Sequence, residues 1–316
     1  MLAAEIGEFN VNDYLESAKT YLDPISGYLL AACALALRDG GFDLERADKK
    51  RVGVSVGSMF GALQTSDTYF QRLVEKGPRL ASSLLFSHTY VNTPGSLVAI
   101  EWGLMGYNAT YCSGLTSGAE AIIRAADALA QGRAEAILAG GTEALCELVY
   151  LGLANEGRVT LAPRPAERAA HPGLVPGEGA GVLLLEAEEA ARARGAQVAA
   201  TICGRGQASD TSPAAALERA VKQALSVWDG REPDIVISPA NGEPQVDEAC
   251  RAALPSCEVF CAKELQGETF AAATGLDVAA ALALAEPGQR ALVASVDPAG
   301  WACALALDVG GESDGG

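Results

Sequence analysis

At 316 residues with 49% hydrophobic content, the chain is long enough to bury one large core or two medium ones. A formal charge of −17 and a pI near 4.5 argue against nucleic acid and anionic membrane surfaces as partners. No apolar run approaches the roughly 18 residues of a membrane span, and the opening MLAAEIGEFN lacks the basic and apolar regions of a signal peptide, so a cytoplasmic α/β protein is expected.

Along the chain, residues 22 to 37 carry Ile25, Tyr28, Leu29, Ala32, Cys33 and Ala36 at helical spacing and close near Gly40-Gly41, which predicts a helix. Residues 51 to 62, RVGVSVGSMFGA, alternate small and β-branched side chains before a glycine-rich turn, the pattern of a strand feeding a helix. The segment 83 to 91, SLLFSHTYV, read as extended, puts Phe86, His88 and Tyr90 on one face. Asn108 to Cys112 suits a short strand, Gly114 and Gly118 punctuate a turn, and Ala119, Ile122, Ile123, Ala126 and Leu129 recur at helical spacing up to Gly132. Ala134 to Ala139 follows as a buried strand closing on Gly140-Gly141. A strand-to-helix elbow between glycines is a common seat for a nucleophile, because the helix N-terminus can lower a thiol pKa and stabilise an oxyanion.

The glycine-rich run Gly173 to Glu186 has no GK[ST] and precedes a strand, so it reads as a close-packed structural turn in preference to a phosphate cradle. A helix from Ala187 to Arg194, ending at Gly195, joins two halves, and the pattern then restarts. Val198–Cys203, Asp234–Ser238, Glu258–Cys261, Arg290–Ser295 and Ala302–Asp308 read as strands, with helices at Pro213–Trp228 and Ala271–Ala285. The expected division is 1–195, 196–308 and an acidic, flexible tail 309–316.

The eight cysteines lie in apolar stretches without CxxC pairs, and the seven-and-four spacing of Cys250, Cys257 and Cys261 matches no usual zinc pattern. Buried thiols are therefore expected, with no metal and no cofactor. His88 and His171 are the only histidines, so no histidine follows position 171.

From Gly106 to Gly141 the chain resembles the nucleophile segment of the β-ketoacyl synthases of the thiolase superfamily, without a gap. RVGVSVGSMFGA, VNTPGSLVAI, Arg164-Pro165 and GLVPGEGAGVLLLE (173–186) resemble further motifs of that family in the same order. The resemblance implies an α/β thiolase-like fold of two pseudo-repeated halves, the first lacking its opening strand. In register, the family's acyl-carrying cysteine falls on Leu115. The frames PANGEPQ (239–245) and CAKELQGE (261–268) put Asn241 and Glu268 at the two family histidines and keep Lys263. The pantetheine-contacting threonines fall on Glu243 and Gln245, and the glycine gate becomes Asp297-Pro-Ala-Gly-Trp-Ala302.

Loss of the thiol, both histidines and the gate resembles the chain length factor, or ketosynthase β subunit, of type II polyketide synthases. Related subunits occur in polyene systems. That resemblance implies a non-acylating subunit with no intact catalytic residue, paired with an active ketosynthase and meeting acyl carrier protein indirectly. Asn108, Thr110, Tyr111 and Cys112 would then lie at the subunit interface, and Phe86, His88 and Tyr90 would either reach the partner's acyl tunnel or simply pack. The alternative is an acyltransferase using Cys112, whose TYCSG setting mimics the family string after a three-residue slip; as a structural residue, Cys112 would be buried at the strand's end.

Overall fold

The computed structural model describes residues 2–164, 167 and 170–310, so Pro165 of the Arg164-Pro165 pair and positions 311–316 of the acidic tail lie outside the described residues. Strands β1 (Val52–Gly57), β2 (Asn108–Tyr111), β3 (Ala136–Glu143) and β4 (Gly179–Glu186) form a four-stranded sheet in the order β2-β1-β3-β4. Strands β5 (Ala200–Ser209), β6 (Ile235–Ile237), β7 (Glu258–Phe260), β8 (Arg290–Asp297) and β9 (Trp301–Val309) form a five-stranded sheet in the order β5-β9-β8-β6-β7.

The helices are α1 (Pro24–Asp39), α2 (Leu63–Lys76), α3 (Ser83–Ser87), α4 (Thr93–Trp102), α5 (Ser117–Ala130), α6 (Glu147–Asn155), α7 (Glu188–Ala193), α8 (Pro213–Leu225), α9 (Pro244–Ala253), α10 (Lys263–Gln266) and α11 (Ala273–Leu284). They build five layers. Helices α5 and α11 lie between the sheets, where Ile122, Val278 and Ala281 pack with Ile137, Val293 and Leu305. Helices α1 and α4 cover the outer face of the first sheet through Leu29, Leu30, Cys33 and Val98, and α8 and α9 cover the second through Leu217, Ala220 and Val246.

The two sheets are copies of one plan. In each, two parallel pairings put one strand between two others (β1 between β2 and β3, β6 between β7 and β8), and an antiparallel strand follows (β4 on β3, β9 on β8). The second sheet then adds β5 antiparallel to β9. Among the described residues β4 has no such neighbour, which is the missing opening strand expected from the sequence. This is the α/β thiolase-like architecture.

Local chemistry sets the element ends. The Asp23 carboxylate accepts from the Ile25 amide at 3.1 Å, and Pro24 occupies the first turn, where its missing N–H costs nothing, so α1 starts two residues later than expected. Close backbone approach explains the buried glycines. A Cβ at Gly118 or Gly141 would collide with the Ala271 carbonyl, and one at Gly181 with the Gly275-Leu276 backbone, so the elbow, β3, β4 and the turn before α11 can sit against each other. Ahead of β4, a Cβ at Gly173 would meet the Val159-Thr160 backbone and one at Gly177 the Gln266 carbonyl, so this run too is packed against its neighbours.

Several expectations need correction. The segment 83–91 is not extended: Ser82 caps α3, its hydroxyl accepting from the Leu85 amide at 3.2 Å. Phe86 of α3 and Tyr90, three residues past its end, meet ring to ring at 5.2 Å, while His88 turns inward against Tyr21. The last strand runs through Val309, which is buried, so the tail does not begin there. Cys33, Cys250 and Cys303 are buried as expected, but Cys112 is exposed.

Candidate functional site

The elbow forms as the sequence suggests, with different chemistry. After β2, Gly114 takes φ +65° and begins a single 3-10 turn, Gly114–Thr116, that leads into α5. A side chain at Gly114 would strike the carboxylate of Asp297, at the end of β8. That carboxylate accepts from the Leu115 amide at 2.9 Å, and the Ser295 hydroxyl donates to the Leu115 carbonyl at 3.2 Å. The Ser117 hydroxyl donates to the Gly114 carbonyl at 2.6 Å and accepts from the Ser113 amide at 2.9 Å. The first halves of the gate and of the elbow are therefore tied together through Asp297.

This arrangement decides what the elbow can do. An oxyanion site needs a backbone donor aimed at developing negative charge. Here the Leu115 N–H is already given to a carboxylate, which would repel an oxyanion. The Leu115 side chain is 2% exposed and packs with Val149, Leu153, Val159, Leu174 and Phe270.

Phe270 was not singled out from the sequence. It adopts φ +51°, a left-handed conformation unusual for a bulky residue, and sits edge-on to Phe60 at 5.0 Å. Its amide donates to Glu268 at 2.8 Å, so it links the elbow's apolar cluster to a second, charged cluster. Its place directly after the Glu268-Thr269 pair, in a run of alanines, was the available signal: one aromatic ring among small residues.

In the charged cluster the structure brings Asn241, Lys263 and Glu268 together. Lys263 Nζ donates to Glu268 Oε2 at 2.8 Å and to the Pro239 carbonyl at 3.1 Å. The Asn241 amide donates to the same Glu268 oxygen at 2.9 Å and to Glu243 at 3.2 Å. Glu243 accepts two bonds from Arg158, at 2.6 and 3.1 Å, so its negative charge is paired. Gln245, in the first turn of α9, is exposed and outside the network.

Burial opposes the charge on Lys263, yet the neighbouring Glu268 and Asp277 outweigh it and hold the ammonium above its ordinary pKa. Asp277 lies beside them with one carboxyl oxygen buried and without a hydrogen-bond partner, and burial pushes its pKa up to about 7. The network Arg158–Glu243–Asn241–Glu268–Lys263 is a balanced, hydrogen-bonded string whose polar atoms are directed at one another. Such a string holds loops together.

Cys112 stands at the end of β2, on the exposed side, three residues before Leu115. Its thiol is pushed above the ordinary value by partial desolvation and by the Glu143 carboxylate, the opposite of what helix α5 was expected to do. Asn108 is exposed, Thr110 and Tyr111 are half-buried, and β2 pairs only with β1 among the described residues, leaving its other edge open. On α2, Tyr69 touches both Phe70 and Phe86 of α3, with ring centroids 5.4 and 5.5 Å apart. His88 is buried, its Nδ1 without a partner and its pKa lowered by desolvation. Among the described residues, no group of three or more His, Cys, Asp or Glu side chains is placed to hold a metal ion, and no helix is long and apolar enough to cross a membrane.

The family model for the β-ketoacyl synthase N-terminal domain matches residues 8–191. The 3-oxoacyl-[acyl-carrier-protein] synthase 2 of Staphylococcus aureus is 31% identical over 225 residues, covering 67% of this chain and 56% of that protein. The chain therefore belongs to the β-ketoacyl synthase family, and it spans about half the length of the curated relatives it matches. Among solved structures, the ishigamide ketosynthase/chain length factor superposes with a TM-score of 0.88 at 20% identity, covering 98% of this chain and 88% of that one. A type II polyketide synthase ketosynthase, solved in complex with its acyl-carrier protein, gives 0.83 at 20% identity, covering 91% and 85%. These two likenesses establish the fold.

Proposed function

We propose that the chain is a non-acylating ketosynthase-like subunit, a chain length factor, that pairs with an active ketosynthase in polyketide or polyene biosynthesis and shapes its acyl tunnel. The observation that carries this reading is the occupied elbow: an apolar side chain stands in the nucleophile's place and its backbone N–H, 2.9 Å from Asp297, is bound to a carboxylate. The charged string beside it supports the same reading, because Lys263 and Glu268 satisfy each other and Asn241 has no basic nitrogen. Acyl carrier protein would be met through the partner, since a chain of charge −17 is a poor docking surface for another acidic protein.

The partner would seat on the open edge of β2 and on the aromatic ridge of α2 and α3. An unpaired strand edge next to exposed apolar rings is a hazard that an obligate partner removes. The rival reading, acyl transfer through Cys112, has exposure in its favour and a disfavoured thiolate against it. Intact-mass spectrometry after incubation with acyl carrier protein thioesters separates the two. The proposed function expects no adduct on this chain, and an adduct lost in Cys112→Ala would replace it with the rival. Co-purification with a tagged ketosynthase from the same source tests the pairing.

A further inference from the structure

Helix α2 carries two different faces. Phe70 belongs to the aromatic ridge, whereas Gln64, Thr68 and Arg72 follow one another at four-residue spacing and share another face, with Phe70 turned away from Arg72 by its two-residue offset. That second face, the segment leading into α1 and the start of α3 enclose a hollow of about 560 Å3. Its apolar wall is compact, made of Leu22, Pro24, Leu84 and Leu85 with the ring of Tyr21. Leu84 remains 54% exposed although it lines a hollow, so the chain itself leaves this wall uncovered. Neither the apolar cluster around Leu115 nor any ring of the ridge lines it, so it is separate from the elbow and does not depend on the proposed function.

The polar groups around the hollow narrow what it can hold. Asp23, between Leu22 and Pro24, is buried, and its carboxylate accepts from the Ile25 and Thr65 amides at 3.1 and 3.0 Å. The Tyr21 and Thr65 hydroxyls are bonded to each other at 2.8 Å, and the Ser82 hydroxyl accepts from the Leu85 amide at 3.2 Å. Arg72 is exposed and has no ion pair among the described residues, although the chain carries −17 overall. A guest therefore meets one uncommitted guanidinium, with the Gln64 amide on the same helix face, and a short apolar wall built around a tyrosine and a proline ring.

We propose that this hollow binds a small aryl carboxylate, its carboxylate on Arg72 and its ring against Tyr21, Pro24 and Leu85. The guanidinium fork matches a carboxylate in charge and geometry. A flat body of one or two rings fits a compact wall, which a long alkyl tail would outrun, and pockets of about 300–1,000 Å3 are the usual size for such ligands.

The chain's two histidines provide the readout. His88 is buried and edge-on to Tyr21, with ring centroids 5.2 Å apart, whereas His171 lines no part of the hollow. With isotope-labelled histidine in the full chain, naphthoate should shift the His88 imidazole signals in NMR spectra and leave those of His171 in place. Arg72→Gln should weaken naphthoate binding by about ten-fold, and naphthylmethylammonium, the same ring with the opposite charge, should not compete. Leu84→Asn, at an exposed position, should also weaken binding while leaving the spectrum of the unliganded chain unchanged elsewhere. Unmoved His88 signals at millimolar naphthoate overturn the proposal, as does an affinity unchanged in Arg72→Gln or a joint shift of both histidines. Decanoate binding more tightly than naphthoate would overturn the aryl assignment.

Discussion

At the residue scale, Leu115 and its neighbours separate loss of a nucleophile from loss of a site. If only the thiol were missing, Leu115→Cys would restore acylation. Because the Leu115 N–H is held by Asp297 at 2.9 Å, the introduced thiol would lie among apolar side chains without an oxyanion donor beside it. The expected result is therefore an unacylated Leu115→Cys chain by intact mass after exposure to acyl carrier protein thioesters, and a stable adduct would show that the elbow is still competent. The Lys263–Glu268 pair gives a second residue-level prediction. Breaking a buried ion pair from one side strands the other charge and costs about 3–5 kcal/mol. Lys263→Met should lower unfolding free energy by that order, and Lys263→Met with Glu268→Gln should be less destabilised than the single variant. Additive losses in urea titrations would mean that the two side chains are not coupled.

What was legible at this scale followed from identity, and what was not followed from conformation. The absence of histidine after position 171 and the apolar residue at the elbow could be read directly from the chain. The pairing of Glu243 with Arg158 spans 85 residues and leaves no local trace in the sequence. The left-handed Phe270 and the Asp297 carboxylate turned toward the elbow are equally tertiary facts. The same limit applied to Phe86, His88 and Tyr90. Alternation of ring and small residue fits a strand, but the Ser82 cap selects helix instead and sends His88 to the opposite side.

At the scale of elements, the ends of equivalent strands carry the same device. β3 ends on Glu143, which accepts from the Ser58 hydroxyl and the Met59 and Phe60 amides at 3.1, 2.7 and 3.1 Å. β8 ends on Asp297, which accepts from Leu115 and Ala299 at 2.9 and 2.8 Å. In each case a carboxylate at a strand end secures a turn, and buried carboxylates carry a pH signature. Burial pushes both Glu143 and Asp277 up to about 7. A carboxyl whose pKa is raised on folding holds more protons folded than unfolded, so its contribution to stability is complete below the unfolded pKa and is lost as pH rises through about 7. Asp277→Asn removes one such group. Its stability relative to the unaltered chain should improve steadily from about pH 4 to about pH 8, measured by urea midpoints. A difference independent of pH would mean that Asp277 titrates normally in the folded chain.

At the scale of the whole molecule, one part of the exposed apolar surface forms an aromatic ridge that the proposed partner would cover. Val74 and Ile100 are 84% and 72% exposed, on α2 and α4, and Tyr69 and Phe70 of α2 run on through Phe86 of α3 to Tyr90 just beyond it. An obligate interface would bury more than roughly 2,000 Å2, which a single chain cannot supply to itself. Purified alone, the chain should self-associate, and a monodisperse monomer in sedimentation would count against an obligate partner. Within that interface, product length depends on whether Phe86 and Tyr90 reach the partner's tunnel. Their ring centroids are 5.2 Å apart, so either ring can partly fill the space left by the other. Phe86→Ala and Tyr90→Ala singly should shift product length less than the pair together, whereas His88→Ala, altering a buried contact with Tyr21, should act on stability instead. Reconstituted with its ketosynthase, the double variant should keep condensing and release longer chains, because no bond-making group is touched. Unchanged product length in an intact complex would leave the two rings with a packing role alone.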